Sequence, residues 1–349
     1  MRNLVRGNLV TENGNPPRQQ TAATMTPPRV ILGCMTFGPE GTSNARVTTV
    51  DGTKEMFATF KSHGHSELDT ARSYNDGKQE SYTRQAGGMK GGFQVATKVH
   101  PGEGGNHKPA KLREMFLTSL SELGAESVEL LYLHAPDRTV PIEETAEEMN
   151  KLYKEGKFKV FGISNFAAWE VARLVEICIA KGYVRPRVYQ AMYNALTRSL
   201  EEELLPCCRH YGIDIVVYNP LAGGILSGRY KSLDVPDAGR FSNAPGNKQA
   251  GENYRKRYFN TIYLEALAKL EPVLNRHNLT MVETALRWVV HHSKLRVFDG
   301  DGIIIGASSS QQLEANLKDF EKGKLPEEVV EALGDAWASV KVVAPKYWR

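Results

Sequence analysis

Residues suited to acid–base chemistry follow short apolar runs in the first half of the chain. Asp69 and Tyr74 lie five residues apart, just after the run "SEL". Lys98 lies in "VATKVHP", and His134 lies in "LLYLHAPD". Each residue alone has an ordinary structural explanation: a turn cap, a packed ring, an exposed amine and a loop histidine.

The same four residues would form a proton-transfer site if the fold brought them together. A lysine beside a phenol is expected to lower the pKa of the phenol, because the ammonium group favours phenolate. Asp69 would pair with Lys98 and keep it charged and in place. Tyr74 would then protonate an oxyanion as a general acid, and His134 would hold the carbonyl oxygen through a ring nitrogen.

The elements that must position these residues are eight short β-type runs separated by amphipathic helical patterns. The runs are mostly continuous and apolar, as expected for strands buried on both faces. They begin at Val30, Ser66, Phe93, Val128, Lys159, Arg187, Ile213 and Gly302. This alternation predicts an α/β fold, a single-domain (β/α)8 TIM barrel, with a doubly wound open sheet as the competing fold. In such a barrel the carboxyl ends of the strands share one rim, where the four residues would converge.

The amino-acid composition is typical of a globular protein and argues against several other classes. The chain has 349 residues, of which 41% are hydrophobic and 24% charged, so its core needs neither disulfides nor metal. A net charge of +4 is too weak to indicate nucleic acid, and no apolar run is long enough to span a membrane. Four cysteines without a CxxC pair favour reduced thiols, and we expect a cytoplasmic protein without a metal site.

Two segments stand apart from the regular alternation. Residues 1–27 are polar and rich in Pro, Asn and Thr, and are interpreted as a flexible extension, with a weak transit peptide as the alternative. Residues 28–349 form the expected barrel domain. The connection before the eighth strand is long, and Leu221 to about Asn260 is rich in Gly, Pro, Asn, Arg and Lys. We expect a long loop there that is functional or disordered.

The motifs "LDTARSY", "ATKVHP", "YLHAPD", "GISNF" and "YNPLAGGILSGRY" resemble those of the aldo-keto reductases, from Pro28 onward. "HAPDRTVPIEET" and "GKQE" are similar to the aflatoxin-aldehyde reductase branch, which reduces aldehydes such as succinic semialdehyde and dialdehydes. The resemblance implies hydride transfer from a reduced nicotinamide to a carbonyl carbon. It makes Tyr74 the general acid, Lys98 and Asp69 the residues that tune its pKa, and His134 the residue that orients the carbonyl.

The resemblance also implies a cofactor site along the later strands. Ser164, Asn165 and Gln190 would bind the nicotinamide carboxamide, and the Tyr218 ring would stack on the nicotinamide. The Gly-containing segment after Tyr218 would fold over the pyrophosphate and contains the expected contacts Asn219, Leu221, Gly223, Gly228 and Arg229.

The end of the eighth strand leads into a helix whose N-terminus favours a phosphate. By resemblance this stretch binds the adenosine 2′-phosphate and adenine, through Gly306, Ser308, Ser309, Gln312 and Asn316. Many relatives have Lys and Arg where this chain has Ala307 and Gln312, which weakens the inference of NADPH over NADH. We still expect NADPH as the cofactor. Because no Rossmann GxGxxG is present, the binding site would be of the barrel type.

The substrate side is expected to combine an apolar wall with basic groups. Met35 and Phe37 would form the wall around the carbonyl together with Tyr74. The expected ligands of a carboxylate on the substrate are Arg349 in the C-terminal "APKYWR", and Arg257 with Arg255 in "YRKRYF". Arg240 in "GRF" is a further candidate, near the cofactor or the substrate. A frayed terminus and a solvated charge run are the ordinary explanations of the same residues.

Other functions remain open from the sequence. One is a biosynthetic ketoreductase that acts on a specific natural product, and another is a non-catalytic barrel subunit that senses the nicotinamide cofactor, like those attached to potassium channels. Both would keep the four polar residues. Metal-assisted hydrolysis lacks a cluster of His and carboxylates at strand ends. Relatives in the aflatoxin-aldehyde reductase branch are often dimers, so a homodimer is an open expectation.

Overall fold

The computed structural model describes residues 27–244 and 246–349. The extension expected at residues 1–27 therefore lies almost entirely outside the described residues. In this part of the chain no helix is both long and apolar enough to cross a membrane.

Eight parallel strands close into a barrel in the order in which they occur along the chain. The strands are β1 (Val30–Gly33), β2 (Glu67–Asp69), β3 (Gln94–Val99), β4 (Val128–Leu133), β5 (Phe158–Ser164), β6 (Val188–Met192), β7 (Asp214–Tyr218) and β8 (Gly302–Ile305). β8 pairs with β1 through Val30 and Ile303, which closes the sheet. The predicted (β/α)8 barrel is thus confirmed, and the open sheet is wrong because an open sheet would leave two unpaired edges.

Helices surround the barrel. They are α1 (Val50–Ser62), α2 (Gln79–Gln85), α3 (Pro109–Leu123), α4 (Ile142–Lys154), α5 (Ala168–Lys181), α6 (Leu204–His210), α7 (Lys248–Tyr258), α8 (Thr261–Arg276), α9 (Met281–His291), α10 (Ser310–Glu321) and α11 (Glu327–Val340). Local signals fix several ends: α3 starts with Pro109 and stops at Gly124, which adopts the left-handed conformation at φ 65°.

The strands separate two apolar clusters because alternate side chains point to opposite faces. Leu130 and Tyr132 on β4 belong to a small cluster with Ile31, Val188, Val216 and Ile304. Leu131 and Leu133 on the same strand belong to the larger cluster, which includes the buried faces of the helices. Gly162 makes room for the Tyr132 ring, since a Cβ there would lie 2.4 Å from it.

The long connection between β7 and β8 is better ordered than the sequence indicates. It contains a 3-10 segment over Ala222–Ser227 and helix α7 before α8 and α9. Phe241 stacks on Phe259 with ring centroids 5.0 Å apart, and both Phe241 and Tyr258 are fully buried. The long loop expected before the eighth strand therefore contains a helix of its own, and a few aromatic side chains give this polar segment a small core.

Candidate active site

A cavity of about 600 Å³ opens at the carboxyl end of the barrel, within the range of ligand-binding clefts. Strand-end residues form its floor, and the long connection and the C-terminus form its walls. Asp69, Tyr74 and His134 all line it. The fold therefore brings the sequence-predicted acid–base residues together at one place.

Lys98 lies directly beneath the cavity and is fully buried. Its Nζ donates to Asp69 Oδ2 and to the Thr70 carbonyl, each at 2.7 Å. Gln190 Nε2 donates to the other Asp69 oxygen at 2.8 Å. The same Nζ lies 4.8 Å from the ring centroid of Tyr74. A buried ion pair thus supports the phenol, with both carboxylate oxygens held.

Tyr74 begins a tight turn after β2. Three consecutive residues adopt left-handed backbone conformations: Asn75 at φ 49°, Asp76 at φ 56° and Gly77 at φ 79°. For the two residues that carry a Cβ this conformation is unfavourable and needs support from the surroundings. Asn75 Nδ2 supplies part of that support by donating to the Phe37 carbonyl at 2.6 Å.

The remaining support for this turn comes from a buried carboxylate on α2. Arg72 donates to Glu80 Oε2 at 2.5 Å and also to the Gly77 carbonyl. Thr97 Oγ1, on the strand that contains Lys98, donates to Glu80 Oε1 at 2.6 Å. The Glu80 side chain is fully buried, so α2, the turn and β3 are joined below the cavity.

The electrostatics correct one expectation. Burial raises the pKa of Tyr74 well above its usual value, and the negative charge of Asp69 raises it further. Burial also lowers the pKa of Lys98, although Asp69 opposes that shift. The expected lowering of the phenol pKa by lysine is therefore wrong in this structure, because burial and the charge of Asp69 both raise the pKa of Tyr74. Tyr74 remains protonated at neutral pH.

His134 contacts the phenol edge to face, with ring centroids 5.9 Å apart. Burial, with a smaller contribution from the charge of Lys98, lowers the pKa of His134 well below its usual value, so the imidazole is neutral. His134 Nδ1 is buried and has no hydrogen-bond partner among the described residues. A neutral imidazole can offer one N–H donor to a carbonyl oxygen.

A second histidine was missed at the sequence level. His100 lines the cavity and packs edge to face on His134, with centroids 5.2 Å apart. Its Nδ1 accepts the Gly102 amide at 3.0 Å, which places the proton of the neutral ring on Nε2. The sequence feature that could have identified His100 was its position two residues beyond Lys98, at the end of the same strand.

The residues expected around a nicotinamide lie together on the cavity wall: Ser164, Asn165, Gln190 and Tyr218. Asn165 Nδ2 donates to the His134 carbonyl at 2.8 Å, and its Oδ1 accepts the Tyr218 hydroxyl at 3.2 Å. The hydroxyl bond holds the end of the half-buried Tyr218 side chain, which lines the cavity.

Most of the residues expected around the phosphates also line the cavity. They are Asn219, Leu221, Gly223, Arg229, Gly306, Ser308 and Gln312. Gly228 ends the 3-10 segment at φ 73° outside the lining, and Asn316 is buried within α10. The side-chain nitrogens of Asn219 and Asn316 are buried without a partner among the described residues.

The N-terminus of α10 differs from the expected open phosphate site. Ser309 Oγ caps the helix by accepting the Gln312 amide at 3.2 Å. Gln312 Oε1 in turn accepts the Ser308 amide at 2.8 Å and the Ser308 hydroxyl at 2.9 Å. Two of the expected donors are thus already satisfied within the protein, so a phosphate would have to displace the Gln312 side chain.

On the substrate side, Met35 lines the cavity but Phe37 does not. The Phe37 ring is fully buried and packs edge to face on Phe57, so the expectation that it forms the pocket wall is wrong. Arg255 also turns away: its guanidinium donates to the Phe241 carbonyl and to Asn243 Oδ1.

Arginines dominate the charge of the cavity. They are Arg46, Arg229, Arg240, Arg257 and Arg349, of which Arg46 was not expected from the sequence. None of them pairs with a carboxylate within the described parts of the chain, whereas arginines on the outer helices do, among them Arg113, Arg173, Arg276 and Arg287. Asp69, which is the only acidic side chain in the lining among the described residues, is already bound to Lys98. The cavity therefore suits anionic ligands.

Comparison with known proteins agrees with this arrangement. Residues 29–338 match the sequence model of the Aldo/keto reductase family. The chain is 43% identical to "Aflatoxin B1 aldehyde reductase member 2" of Mus musculus, over 96% of this chain and 91% of that protein. It is 43% identical to an aldo-keto reductase of Pseudocercospora fijiensis, over 84% and 100%, and 39% identical to "Aldo-keto reductase pigE" of Monascus ruber, over 92% and 97%.

The chain belongs to the aldo/keto reductase family. Within that family it is similar to the aflatoxin-aldehyde reductases, as its motifs predicted. It is an NAD(P)H-dependent oxidoreductase that acts on carbonyl compounds, and the cavity at the carboxyl end of the barrel is its candidate active site.

Proposed function

We propose that this protein reduces an aldehyde or ketone to an alcohol with NADPH, and that Tyr74 is the general acid. One observation carries the proposal: a buried Asp69–Lys98 pair lies beneath a protonated phenol on the cavity floor. Such a phenol can give its proton to a carbonyl oxygen as negative charge develops there. Lys98, 4.8 Å from the ring, would then stabilise the phenolate that remains.

The residues present fit a nicotinamide dinucleotide. The cavity joins a set of amide and hydroxyl side chains near Tyr74 to a set of arginines and serines near α10. The side-chain nitrogen of Asn219, in the cavity lining, has no partner among the described residues and is a donor that a nucleotide would satisfy. When bound, the reduced nicotinamide supplies the hydride that adds to the carbonyl carbon.

The protein side chains would then bind the nicotinamide, orient the substrate carbonyl and protonate its oxygen. The Tyr218 ring would offer a stacking face for the nicotinamide, and Ser164, Asn165 and Gln190 would bind its carboxamide. The neutral His134 would donate one N–H to the carbonyl oxygen and hold it near the Tyr74 hydroxyl. This positioning is a large part of the catalytic effect expected of such a site.

The proposed preference for NADPH over NADH rests on the positive charge of the cavity. NADPH has one phosphate more than NADH, and an unpaired guanidinium binds a phosphate bidentately. Arg229 is exposed and lines the cavity without a carboxylate partner among the described residues, and Arg46, between β1 and α1, lines the same cavity. We assign the extra phosphate to this basic region and to Ser308, Ser309 and Gln312 at α10.

The substrate side favours a carbonyl compound with a carboxylate. Arg240, Arg257 and Arg349 line the same cavity as Tyr74, and their charges act on the phenol of Tyr254 in its wall. The relatives named aflatoxin B1 aldehyde reductase act, by name, on an aldehyde. A ketoreductase of one natural product would use the same side chains, and a substrate panel separates the two.

Two further properties are part of the proposal. Four free cysteines, three of them buried, are typical of a reducing compartment, so we assign the protein to the cytoplasm. We also propose a homodimer, by analogy with the family branch, and sedimentation at micromolar concentration tests it.

The test is consumption of NADPH and NADH in parallel with 4-nitrobenzaldehyde. We expect turnover with both and a kcat/KM at least about tenfold higher for NADPH, equal to about 1.4 kcal/mol. Arg229→Met removes one positive charge from the cavity, and this variant should reduce the ratio of kcat/KM for NADPH to that for NADH. NADPH binding without turnover of any carbonyl compound would favour the cofactor-sensing subunit, and no binding of either cofactor would overturn the proposal.

A further inference from the structure

A histidine in the cavity lining is not used by the mechanism above. His100 follows β3, two residues beyond Lys98, and lines the same cavity as Tyr74 and His134. Its ring packs edge to face on the His134 ring, with centroids 5.2 Å apart. The His134 ring packs in the same way on Tyr74, at 5.9 Å. His100 is therefore separated from the candidate acid by a single ring.

The loop after β3 holds the His100 ring in place. The Gly102 amide donates to His100 Nδ1 at 3.0 Å, and Asn106 Nδ2 donates to the His100 carbonyl at 3.2 Å. Gly102 adopts a left-handed conformation at φ 67°, and a Cβ there would lie 2.7 Å from Asn106 Nδ2, so a larger residue would disturb this turn. The ring is thus tethered to the loop through one of its two nitrogens.

The other ring nitrogen of His100 is a free donor. Because Nδ1 accepts a hydrogen bond, the proton of the neutral imidazole lies on Nε2. Burial and the charge of Arg349 lower the pKa of His100, so the ring is neutral near neutral pH. Nε2 has no hydrogen-bond partner among residues 27–244 and 246–349. A polar group that lines a ligand cavity and is left unpaired by the protein is available to a ligand.

Two neutral imidazoles therefore border one substrate cavity. His134, whose pKa is lowered by burial, would donate to the oxygen of the reacting carbonyl. His100 lies beside it and can donate to a second acceptor atom of the same substrate. Since the two rings are in contact, the two donors suit acceptors attached to neighbouring carbon atoms, and not acceptors at opposite ends of a long molecule.

Neither charge nor packing explains a histidine at this position. A neutral ring adds no positive charge to a cavity that five arginines already line. An edge-to-face contact with His134 is available to any aromatic ring. The feature that only histidine supplies here is its pair of nitrogens, of which one binds the loop and the other is left for a ligand.

We propose that His100 is a specificity-determining residue: its Nε2–H binds a second acceptor atom of the substrate, on the carbon next to the reacting carbonyl. Substrates with such an acceptor are then preferred over isomers that have it elsewhere. An oxygen on the neighbouring carbon meets this requirement, and so does a ring nitrogen bonded to that carbon. The proposal rests on the carbonyl reductase function proposed above.

The test compares two isomers of equal size, pyridine-2-carbaldehyde and pyridine-4-carbaldehyde. Only the 2-isomer has its ring nitrogen bonded to the carbon that bears the aldehyde. We expect the ratio of kcat/KM for the 2-isomer to that for the 4-isomer to be about fivefold lower in His100→Leu than in the wild type, because one hydrogen bond is lost. The intrinsic reactivity of the two aldehydes does not depend on the variant, so it cancels when the ratios are compared.

Two further variants separate specificity from a structural role. His100→Asn keeps an acceptor for the Gly102 amide but is too short to place a donor at the position of Nε2, so the ratio should still fall. His100→Gln can bring an amide N–H to that position and should restore most of the ratio. His210→Leu is the matched control, because His210 is an exposed histidine on α6 that also packs edge to face, on Tyr211.

The outcomes are distinct. An unchanged ratio in His100→Leu and His100→Asn would overturn the proposal. Equal losses for both isomers would also overturn it and would limit His100 to holding the loop. If His100→Leu does not fold, the ratio in His100→Asn decides. Absence of turnover of both isomers by the wild type would instead count against the reductase function on which the proposal rests.

Discussion

Lys98 has no solvent contact, and its charge depends on the protein around it. Its Nζ is bound to Asp69 and to the Thr70 carbonyl, so the third N–H is the one left for the phenol side. Removal of one member of a buried ion pair leaves the other charge uncompensated, whereas removal of both is much less costly.

This coupling gives the first prediction. Lys98→Met should lower the free energy of unfolding by about 3–5 kcal/mol, because the Asp69 carboxylate stays buried without its cation. The double variant Asp69→Leu with Lys98→Met should recover most of that stability and remain inactive. Urea denaturation and turnover are the measurements, and recovery of activity in the double variant would contradict the role of Lys98.

The pKa shifts of Tyr74 and His134 predict the pH dependence of carbonyl reduction. Tyr74 is active when protonated, and its raised pKa keeps it so at alkaline pH. His134 is active when neutral, and its lowered pKa keeps it neutral in mildly acidic solution. We therefore expect kcat to be flat between about pH 6.5 and about pH 9. If kcat changed near neutral pH in the wild type and this change disappeared in His134→Asn, the pKa of His134 would not be lowered as we expect.

At the scale of the elements, the site depends on α2 as much as on the strands. Glu80 on α2 ties Arg72 and Thr97 together, and Arg72 holds the Gly77 carbonyl in the turn that contains Tyr74. The turn is strained, so its position is determined by these contacts and not by local preference.

A further prediction concerns the ion pair between Glu80 and Arg72. Glu80→Gln keeps a hydrogen-bond acceptor for Thr97 but loses the ion pair with Arg72, at a cost of about 1.5–3 kcal/mol in stability. We expect kcat to fall about tenfold because Tyr74 is displaced, while the KM for NADPH is unchanged. Glu114→Gln, in an exposed pair with Lys111, is the control. Unchanged kcat despite lower stability would limit Glu80 to a structural role.

The long connection shows what sequence patterns miss at this scale. Helix α7 has the sequence KQAGENYRKRY, with few apolar residues, so it gives no helical periodicity. Its fold depends on distant aromatic contacts of Phe241 and Phe259. The convergence of Tyr254, Arg240 and Arg257 depends on the same packing and could not be predicted from spacing alone.

For the whole molecule, the barrel was predictable because buried parallel strands appear as apolar runs at regular intervals. The positions of Asp69, Lys98 and His134 then followed, since they lie at or just beyond the ends of successive strands. The sign of the Tyr74 pKa shift did not follow, because desolvation depends on how many groups from different elements surround the phenol. The burial of Phe37 was missed for the same reason.

Across the molecule, the C-terminal residues also contribute to the site. The backbone amide of Arg349 donates to the Asn165 carbonyl at 3.1 Å, and Tyr347 accepts the Ala168 amide at 3.1 Å. Arg138 lies over the Trp348 ring at 5.7 Å. The C-terminal residues are thus fastened to the loop after β5, which explains why a terminal arginine can reach the cavity.

The central claim is that Tyr74 protonates the carbonyl oxygen in a nicotinamide-dependent reduction. The most direct test is the kcat of Tyr74→Phe with NADPH and 4-nitrobenzaldehyde, next to Tyr153→Phe on the outer surface of α4. We predict that kcat falls by at least about 10²-fold in Tyr74→Phe, with NADPH affinity kept, and is unchanged in Tyr153→Phe. A Tyr74→Phe protein that turns over within a few-fold of the wild type would contradict the account.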